Sequence, residues 1–147
     1  MEADGDEMIS SLEAEAHRHG FTLDIAGAAS MTAISLDQWV ASGMKGARDC
    51  WRDPADHVIA GYVASRPGEP PIIVRPSPRR SVGPDLFALL AGCENRYFSL
   101  QKASIRMHRI GVARHETPPF LFDRQSAVSA GEEALLDAVA DALAFQR

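Results

Sequence analysis

Apolar and polar positions repeat in ways that predict helices near both ends and in the middle of the chain, with strands between them. The first helix is predicted over residues 5–19, with Asp4 and Glu7 at its N-terminal cap and Gly20 at its end. Its apolar positions have the spacing of a half-buried surface helix: Met8, Ile9, Leu12 and Ala16. Glu13 lies outside this stripe and is expected to face solvent.

A second helix is predicted to begin at Ser35, because Ser35 and Gln38 form an S-x-x-Q capping box. The apolar residues that follow share one face at helical spacing: Leu36, Val40, Met44, Ala47 and Trp51. Gly43 and Gly46 each cost about 1 kcal/mol relative to alanine inside a helix, so packing has to hold this helix together. Pro54 predicts its end.

Two β-branched runs, residues 57–65 and 71–75, predict a β-hairpin. Arg66-Pro-Gly-Glu69 joins them and fits a type II turn, with proline and glycine at the two central positions. Pro70 and Pro71 cannot donate to a β-ladder, so the second arm is expected at the edge of the sheet or to start late.

For part of residues 85–108 the sequence does not decide between helix and strand. Leu86-Phe-Ala-Leu89 is apolar without a decisive period. Beyond Tyr97 the apolar positions alternate and then change phase, which predicts either a bulge near Gln101 or two separate strands.

The last element is a helix predicted over residues 129–146, with Ser129 and Glu132 as a capping box. Its predicted apolar face consists of Leu135, Leu136, Val139, Ala142 and Leu143. The expected fold is α+β: a small antiparallel sheet of about three to five strands, packed with N-terminal, middle and C-terminal helices. Residues 1–147 are expected to form a single domain, with residues 1–4 as a flexible start and residues 57–112 as a basic, β-rich core.

Length and composition predict a soluble protein, since 46% of residues are hydrophobic and 24% are charged. The apolar runs are too short to span a bilayer and the start is acidic, so a cytoplasmic location without a membrane partner is expected. Cys50 and Cys93 have no paired spacing and are interpreted as packing thiols. His17 and His19 would project from a helix about 200° apart. Neither a metal nor a cofactor is expected.

Charge is distributed unevenly along the chain, although the net charge is −5. Residues 66–114 contain nine Lys or Arg against three acids, whereas residues 1–24 contain seven acids against one arginine, and residues 115–147 are acidic again. Two interpretations are open. Acidic helices can neutralise a basic sheet within the fold, at roughly a few tenths of a kcal/mol per exposed pair. Alternatively, a basic face binds an acidic partner.

Basic side chains of this middle part are the candidate binding residues. Arg79 and Arg80 lie in a proline-rich segment, residues 76–84, that is predicted to be an exposed loop and is the first candidate for a binding loop. Lys102 and Arg106 predict a basic ridge in either secondary structure, together with His108 on a strand or with Arg109 on a helix. The full set is Arg75, Arg79, Arg80, Lys102, Arg106, His108 and Arg109.

Three short motifs stand in order within residues 57–112. They are Val58-Ile-Ala-Gly-Tyr-Val63 before a Pro-Gly turn, Leu86-Phe-Ala-Leu89, and Arg109-Ile-Gly111 at the end of a basic segment. In this order the chain resembles a family of small, uncharacterised bacterial proteins of unknown function, from which it departs around Lys102 and His108. The resemblance implies a compact β core, with Leu86–Leu89 as a strand, and no known activity.

The function expected first is a small, non-catalytic binding or regulatory module of the bacterial cytoplasm, whose basic β face and Arg79/Arg80 loop bind an acidic partner. A protein is favoured over nucleic acid, because the net charge is negative and no recognition helix or zinc finger is evident. A further alternative is a metal-free ribonuclease that uses His108 or His115 with Arg106 and Arg109. Arg109-x5-His115 resembles the Arg-x4-6-His motif of HEPN ribonucleases, but Gly111 interrupts the helix that this motif needs. The oligomeric state is not predicted.

Overall fold

A computed structural model describes residues 1–47, 58–76, 86–112 and 130–144. The elements in chain order are β1 (Glu2–Asp4), α1 (Ile9–Arg18), β2 (Phe21–Thr22), α2 (Leu36–Ala41), β3 (Ile59–Ser65), β4 (Ile72–Val74), β5 (Ser99–Ile105), β6 (His108–Arg109) and α3 (Ala130–Ala144). In this part of the chain three α-helices accompany a four-stranded sheet, ordered β1-β5-β3-β4, and a two-stranded sheet of β2 and β6. All strand pairs are antiparallel, which confirms the predicted α+β class.

The first residues form an edge strand of the sheet instead of the predicted flexible start. In β1, Ala3 lies opposite Ala103 of β5, and the N-terminal ammonium group of Met1 donates to the carbonyl of Ile105 at 2.9 Å. The predicted helix start at residue 5 is also wrong, because the Asp4 N–H binds the Glu7 side chain within a turn and α1 begins at Ile9. Pairing with β5 provides hydrogen-bond partners for backbone N–H and C=O groups that a helix starting at residue 5 would have left without one.

The predicted β-hairpin is confirmed. Strands β3 and β4 pair antiparallel, and the Glu69 N–H donates to the Arg66 carbonyl at 3.1 Å to close the turn. Gly68 has a φ of 79°, as the third position of a type II turn requires. Strand β4 lies at the edge of the sheet, where the prolines on either side of it cost no ladder hydrogen bonds.

The change of phase near Gln101 is a β-bulge. Val63 pairs with Lys102 and Ala64 pairs with Leu100, so Gln101 is the extra residue on β5. Residues 99–105 are therefore strand and not helix. The Leu86–Leu89 segment forms a 3-10 helix, so the strand that the family resemblance implied there is wrong.

Helix α2 has the predicted capping box but is much shorter than predicted. The Ser35 hydroxyl accepts from the Gln38 N–H, and the Gln38 side chain accepts from the Ser35 N–H. The helix ends at Ala41, because Gly43 and Met44 both have positive φ angles, 97° and 59°. Met44 and Ala47, beyond this end, are still buried, so hydrophobic spacing identified these core positions but not the helix length.

Glu13 of α1 is buried, contrary to the expectation that it faces solvent. Its carboxylate accepts hydrogen bonds from the Thr22 hydroxyl at 2.6 Å, the Leu23 N–H at 2.8 Å and the His17 imidazole at 2.8 Å. A buried carboxylate is tolerated when several donors surround it. The bonds from Thr22 and Leu23 attach α1 to β2 and the residue after it, whereas the bond from His17 lies within α1.

The core lies between the helices and one face of the four-stranded sheet. Trp39, Tyr97 and Phe98 are buried, and Cys93 is buried as predicted for a packing thiol. Helix α3 buries Ala140 and half-buries Leu136 and Val139, whereas Leu135, predicted on its apolar face, is 63% exposed. Ala142 is exposed as well.

Several predicted features lie outside the described residues: Cys50, Trp51, the Arg79/Arg80 loop, His115 and the cap at Ser129. No helix within the described ranges has the length and apolar character needed to cross a bilayer.

Candidate functional site

The two faces of the four-stranded sheet differ in burial. One row of residues across the strands faces the core: Ala3, Ala103, Tyr62 and Val74. The neighbouring row has the opposite orientation, because side chains alternate along each strand, and contains Asp4, Lys102, Val63 and Ile73. Ile73 is 66% exposed. We call this side of the sheet, formed by Glu2, Asp4, Val63, Ile73, Arg75 and Lys102, the open face.

Some of the predicted binding residues lie on the open face. Lys102 is exposed in the middle of β5, and its Nζ lies 3.5 Å from the Asp4 carboxylate on β1. Arg75 is exposed directly after β4, at the position that strand alternation places on the same side as Ile73. Arg106 is half-buried just beyond β5, where its N–H donates to the Val58 carbonyl at 2.7 Å.

The other predicted residues are elsewhere, so the basic residues are divided between two sheets. His108 and Arg109 form β6, where His108 lies opposite Thr22 and Arg109 opposite Phe21. Arg109 is thus in a strand, whereas the ribonuclease motif needs a helix at this position. Arg79 and Arg80 fall outside the described residues.

Acidic residues from both ends of the chain contact the basic middle part. Besides the Lys102–Asp4 pair, the Arg96 guanidinium lies 3.4 Å from the Asp137 carboxylate of α3. All four side chains are about half exposed, so each pair contributes at most about 1 kcal/mol. These contacts support the interpretation that part of the basic charge is neutralised within the fold.

A polar cleft of about 570 Å³ opens where the turn after β1, the start of α2 and the bulge of β5 meet. Its lining residues are Asp4, Gly5, Asp6, Ser35, Asp37, Gln38, Asn95, Leu100 and Gln101. Asp37 connects the surrounding elements, since its carboxylate accepts from the Leu100 N–H at 2.6 Å and from the Asn95 amide at 2.7 Å. Three carboxylates make this cleft unfavourable for a phosphate group.

Tyr97 carries a buried hydroxyl for which the described residues offer no hydrogen-bond partner. The Arg96 guanidinium lies 5.3 Å from the centre of its ring. Burial raises the pKa of Tyr97 above its usual 10.0, and the Asp137 carboxylate adds to this rise from a position that falls short of hydrogen-bond geometry. The hydroxyl therefore stays protonated at neutral pH.

Sequence reasoning missed Glu13 and Asp37, whose carboxylates accept hydrogen bonds from backbone N–H groups outside their own helices. The partners of Asp37 are 58 and 63 residues away in the chain, so no local pattern reveals them. Its position in the first turn of a capped helix was the one available signal, and that signal indicates helix stability rather than a cleft. The described residues contain no group of three His, Cys, Asp or Glu arranged to hold a metal ion.

No family model matches the chain, and no curated protein sequence matches it. Among solved structures, the chain is similar to a segment of alkyldihydroxyacetonephosphate synthase, with a TM-score of 0.58 and 17% sequence identity. The similarity covers 76% of this chain and 19% of that chain. At this identity it shows a shared fold, and the chain spans less than one fifth of the length of that synthase.

Proposed function

We propose that the chain is a non-catalytic binding module that binds another polypeptide through the open face of its sheet. The observation that carries this proposal is the exposure of Ile73 beside Val63, in a row with charged residues on the neighbouring strands. Apolar surface framed by charged groups is typical of protein interaction sites. Arg75 at the β4 side of this surface favours an acidic partner, because complementary charge increases the rate of association.

The flat side of the sheet, rather than its β4 edge, is the contact surface. Strand β4 has three residues and is flanked by Pro70, Pro71 and Pro76. Prolines at an edge strand block the addition of a further strand, since they lack the N–H that the ladder needs. The partner therefore contacts side chains of the open face.

Photo-crosslinking tests this proposal. A photoreactive amino acid placed at Ile73 is expected to form crosslinks to a polypeptide in cells that express the protein, with protease but not nuclease removing the added mass. The same amino acid at Ile110 is the matched control, because Ile110 is also an exposed isoleucine but lies on the turn after β6. Equal crosslinking at both positions, or none at Ile73, would rule out the open face as the contact surface.

A second candidate function follows from the structural comparison. The similarity to a segment of alkyldihydroxyacetonephosphate synthase favours a role for this chain as one structural unit of a larger enzyme assembly. Other polypeptide chains would supply the remaining parts of that assembly. Thermal-shift measurements with dihydroxyacetone phosphate, FAD, NADP⁺ and ATP test whether this unit binds such a ligand itself. A dose-dependent rise in Tm, absent with inorganic phosphate, would support ligand binding, whereas no rise would limit the unit to a structural role.

A further inference from the structure

We infer that the open face binds helix α3 of a second copy of this chain. This inference rests on the proposed function and names its polypeptide partner. It starts from two exposed aliphatic side chains in different parts of the fold, Ile73 on the sheet and Leu135 on α3, which are 66% and 63% exposed.

The outer side of α3 has the features that a partner of the open face needs. Ala134, Leu135, Ala138, Asp141 and Ala142 are all exposed, and at 100° per residue they occupy one arc of the helix of about 120°. The core side of the helix is occupied by Ala140, with Leu136 and Val139 beside it. The outer arc is thus an apolar surface with no partner among the residues that the structure describes.

Charge complementarity selects this helix as the occupant. Residues 130–144 contain four acidic residues and no basic residue. The β3–β4 half of the open face carries Arg75, with Lys102 on the adjacent strand β5. On the open face Lys102 is paired with Asp4, so the charge match rests on Arg75 and on Asp141 of the outer arc, beside one exposed isoleucine and one exposed leucine.

The dimensions of the two surfaces agree. A helix of 15 residues is about 22 Å long, and β3 with seven residues is about 23 Å long. The face spans three strand spacings, about 14 Å, which is slightly more than the diameter of one helix. One helix thus covers most of the open face.

The contact is between unlike surfaces, so each copy offers one face and one helix. The open face and the outer arc of α3 lie on opposite sides of the core, so the repeated contact joins copies head to tail into longer assemblies. Each contact is small by the standards of stable complexes, which predicts reversible association at concentrations on the order of 100 µM.

Sedimentation velocity on the purified full chain, over a wide range of concentration, tests the inference. We expect concentration-dependent association that is lost in both Ile73→Asp and Leu135→Asp and retained in Ile110→Asp, the matched control for adding a charge at an exposed isoleucine. Circular dichroism and Tm of each variant establish that it is folded. A wild-type chain that stays monomeric throughout would overturn the inference.

Mixing the two variants distinguishes a face–helix contact from the alternatives. Ile73→Asp retains an intact helix and Leu135→Asp retains an intact face, so an equimolar mixture should recover one contact and form 1:1 dimers although neither variant associates alone. Face-to-face or helix-to-helix association cannot be recovered in this way, and no recovery would therefore overturn the inference.

A charge exchange provides a second test. Arg75→Glu should weaken association at least fivefold, and adding Asp141→Lys to the same chain should restore it. Weakening by Arg75→Glu without restoration would contradict the pairing. If the purified chain is monomeric but Ile73 still crosslinks to a different protein in cells, the proposed function stands and the inference alone fails.

Discussion

Glu13 holds α1 against β2 and the residue after it through two of the three hydrogen bonds that its carboxylate accepts, those from Thr22 and Leu23. The Glu13→Gln variant keeps the size of the side chain but replaces an acceptor oxygen with an NH₂ group that faces other donors. We expect this change to lower the free energy of unfolding by about 1–3 kcal/mol, because a buried donor loses its partner. Denaturant titration followed by circular dichroism measures the effect.

Glu15 on the same helix is the matched control for Glu13. It is more exposed and pairs with Arg18 and His19 at the surface. Glu15→Gln should change the free energy of unfolding by less than about 0.5 kcal/mol. Equal losses in the two variants would show that the loss comes from helix charge rather than from the buried hydrogen bonds.

Tyr97 is expected to lower stability through its buried hydroxyl. Tyr97→Phe removes a polar group that lacks a hydrogen-bond partner and leaves the packed ring in place. We expect the free energy of unfolding to rise by about 1 kcal/mol. A fall instead would mean that the hydroxyl donates a hydrogen bond, with the Asp137 carboxylate as the nearby acceptor.

The raised pKa of Tyr97 also predicts that the stability of the fold depends on pH in the alkaline range. Its pKa in the folded protein is raised, first by burial and then by Asp137, so the folded state favours the protonated hydroxyl. The contribution of this pKa shift to the free energy of unfolding is fully present below 10.0, the pKa of Tyr97 in the unfolded chain. It is lost as the pH rises through the pKa of Tyr97 in the folded protein. The free energy of unfolding should therefore fall above pH 10 more steeply in the wild type than in Tyr97→Phe. Parallel pH profiles would remove Tyr97 as the cause.

At the scale of elements, the chain after α2 is held close to the loop after β2. Ala26 N–H donates to the Gly46 carbonyl at 2.8 Å, and Ile25 pairs with Ala47 in an isolated bridge. A Cβ at Gly46 would lie 2.6 Å from the Ala26 carbonyl oxygen, so this contact requires glycine. The close approach takes the place of the helix that apolar spacing predicted here.

Two glycine substitutions separate backbone strain from close approach. Gly27 and Gly46 have similar φ angles, 80° and 86°, but a Cβ at Gly27 would meet nothing within 4 Å. Gly27→Ala should cost about 1 kcal/mol from its left-handed backbone alone, whereas Gly46→Ala should cost at least about 2 kcal/mol. Equal shifts in denaturation midpoint would contradict the close packing of these two segments.

At the scale of the whole molecule, the distribution of charge argues against nucleic acid as the main partner. Arg96 and Lys102 contact acidic residues of α3 and β1, and the other predicted basic residues in the described part of the chain lie in or beside two different sheets. We expect fluorescence anisotropy to show dissociation constants above about 100 µM for DNA and RNA at 50 mM salt. A variant with Asp4→Asn and Asp137→Asn should bind more tightly. Tight, salt-sensitive binding by the wild type would contradict this expectation.

Much of the fold could be predicted, because local physical rules act over a few residues. The type II turn at Pro67 and Gly68, the capping box at Ser35 and the bulge at Gln101 each depend on neighbours in the chain, and each is confirmed. The candidate site was predicted less well. Lys102 and Arg75 are on the open face, but the division of the basic residues depends on which strands pair, and no residue spacing contains that information.

The sequence by itself determined the α+β class, the type II turn, the cap at Ser35 and many of the positions that become core, because short-range geometry and hydrophobic burial set them. Tertiary structure alone decided the rest. Strand pairing recruited Glu2–Asp4 into the sheet, donors from β2 and the residue after it made a buried position acceptable for Glu13, and left-handed residues after Ala41 ended α2. It also left Ile73 and Leu135 exposed, because burial of an apolar residue depends on whether another element covers it.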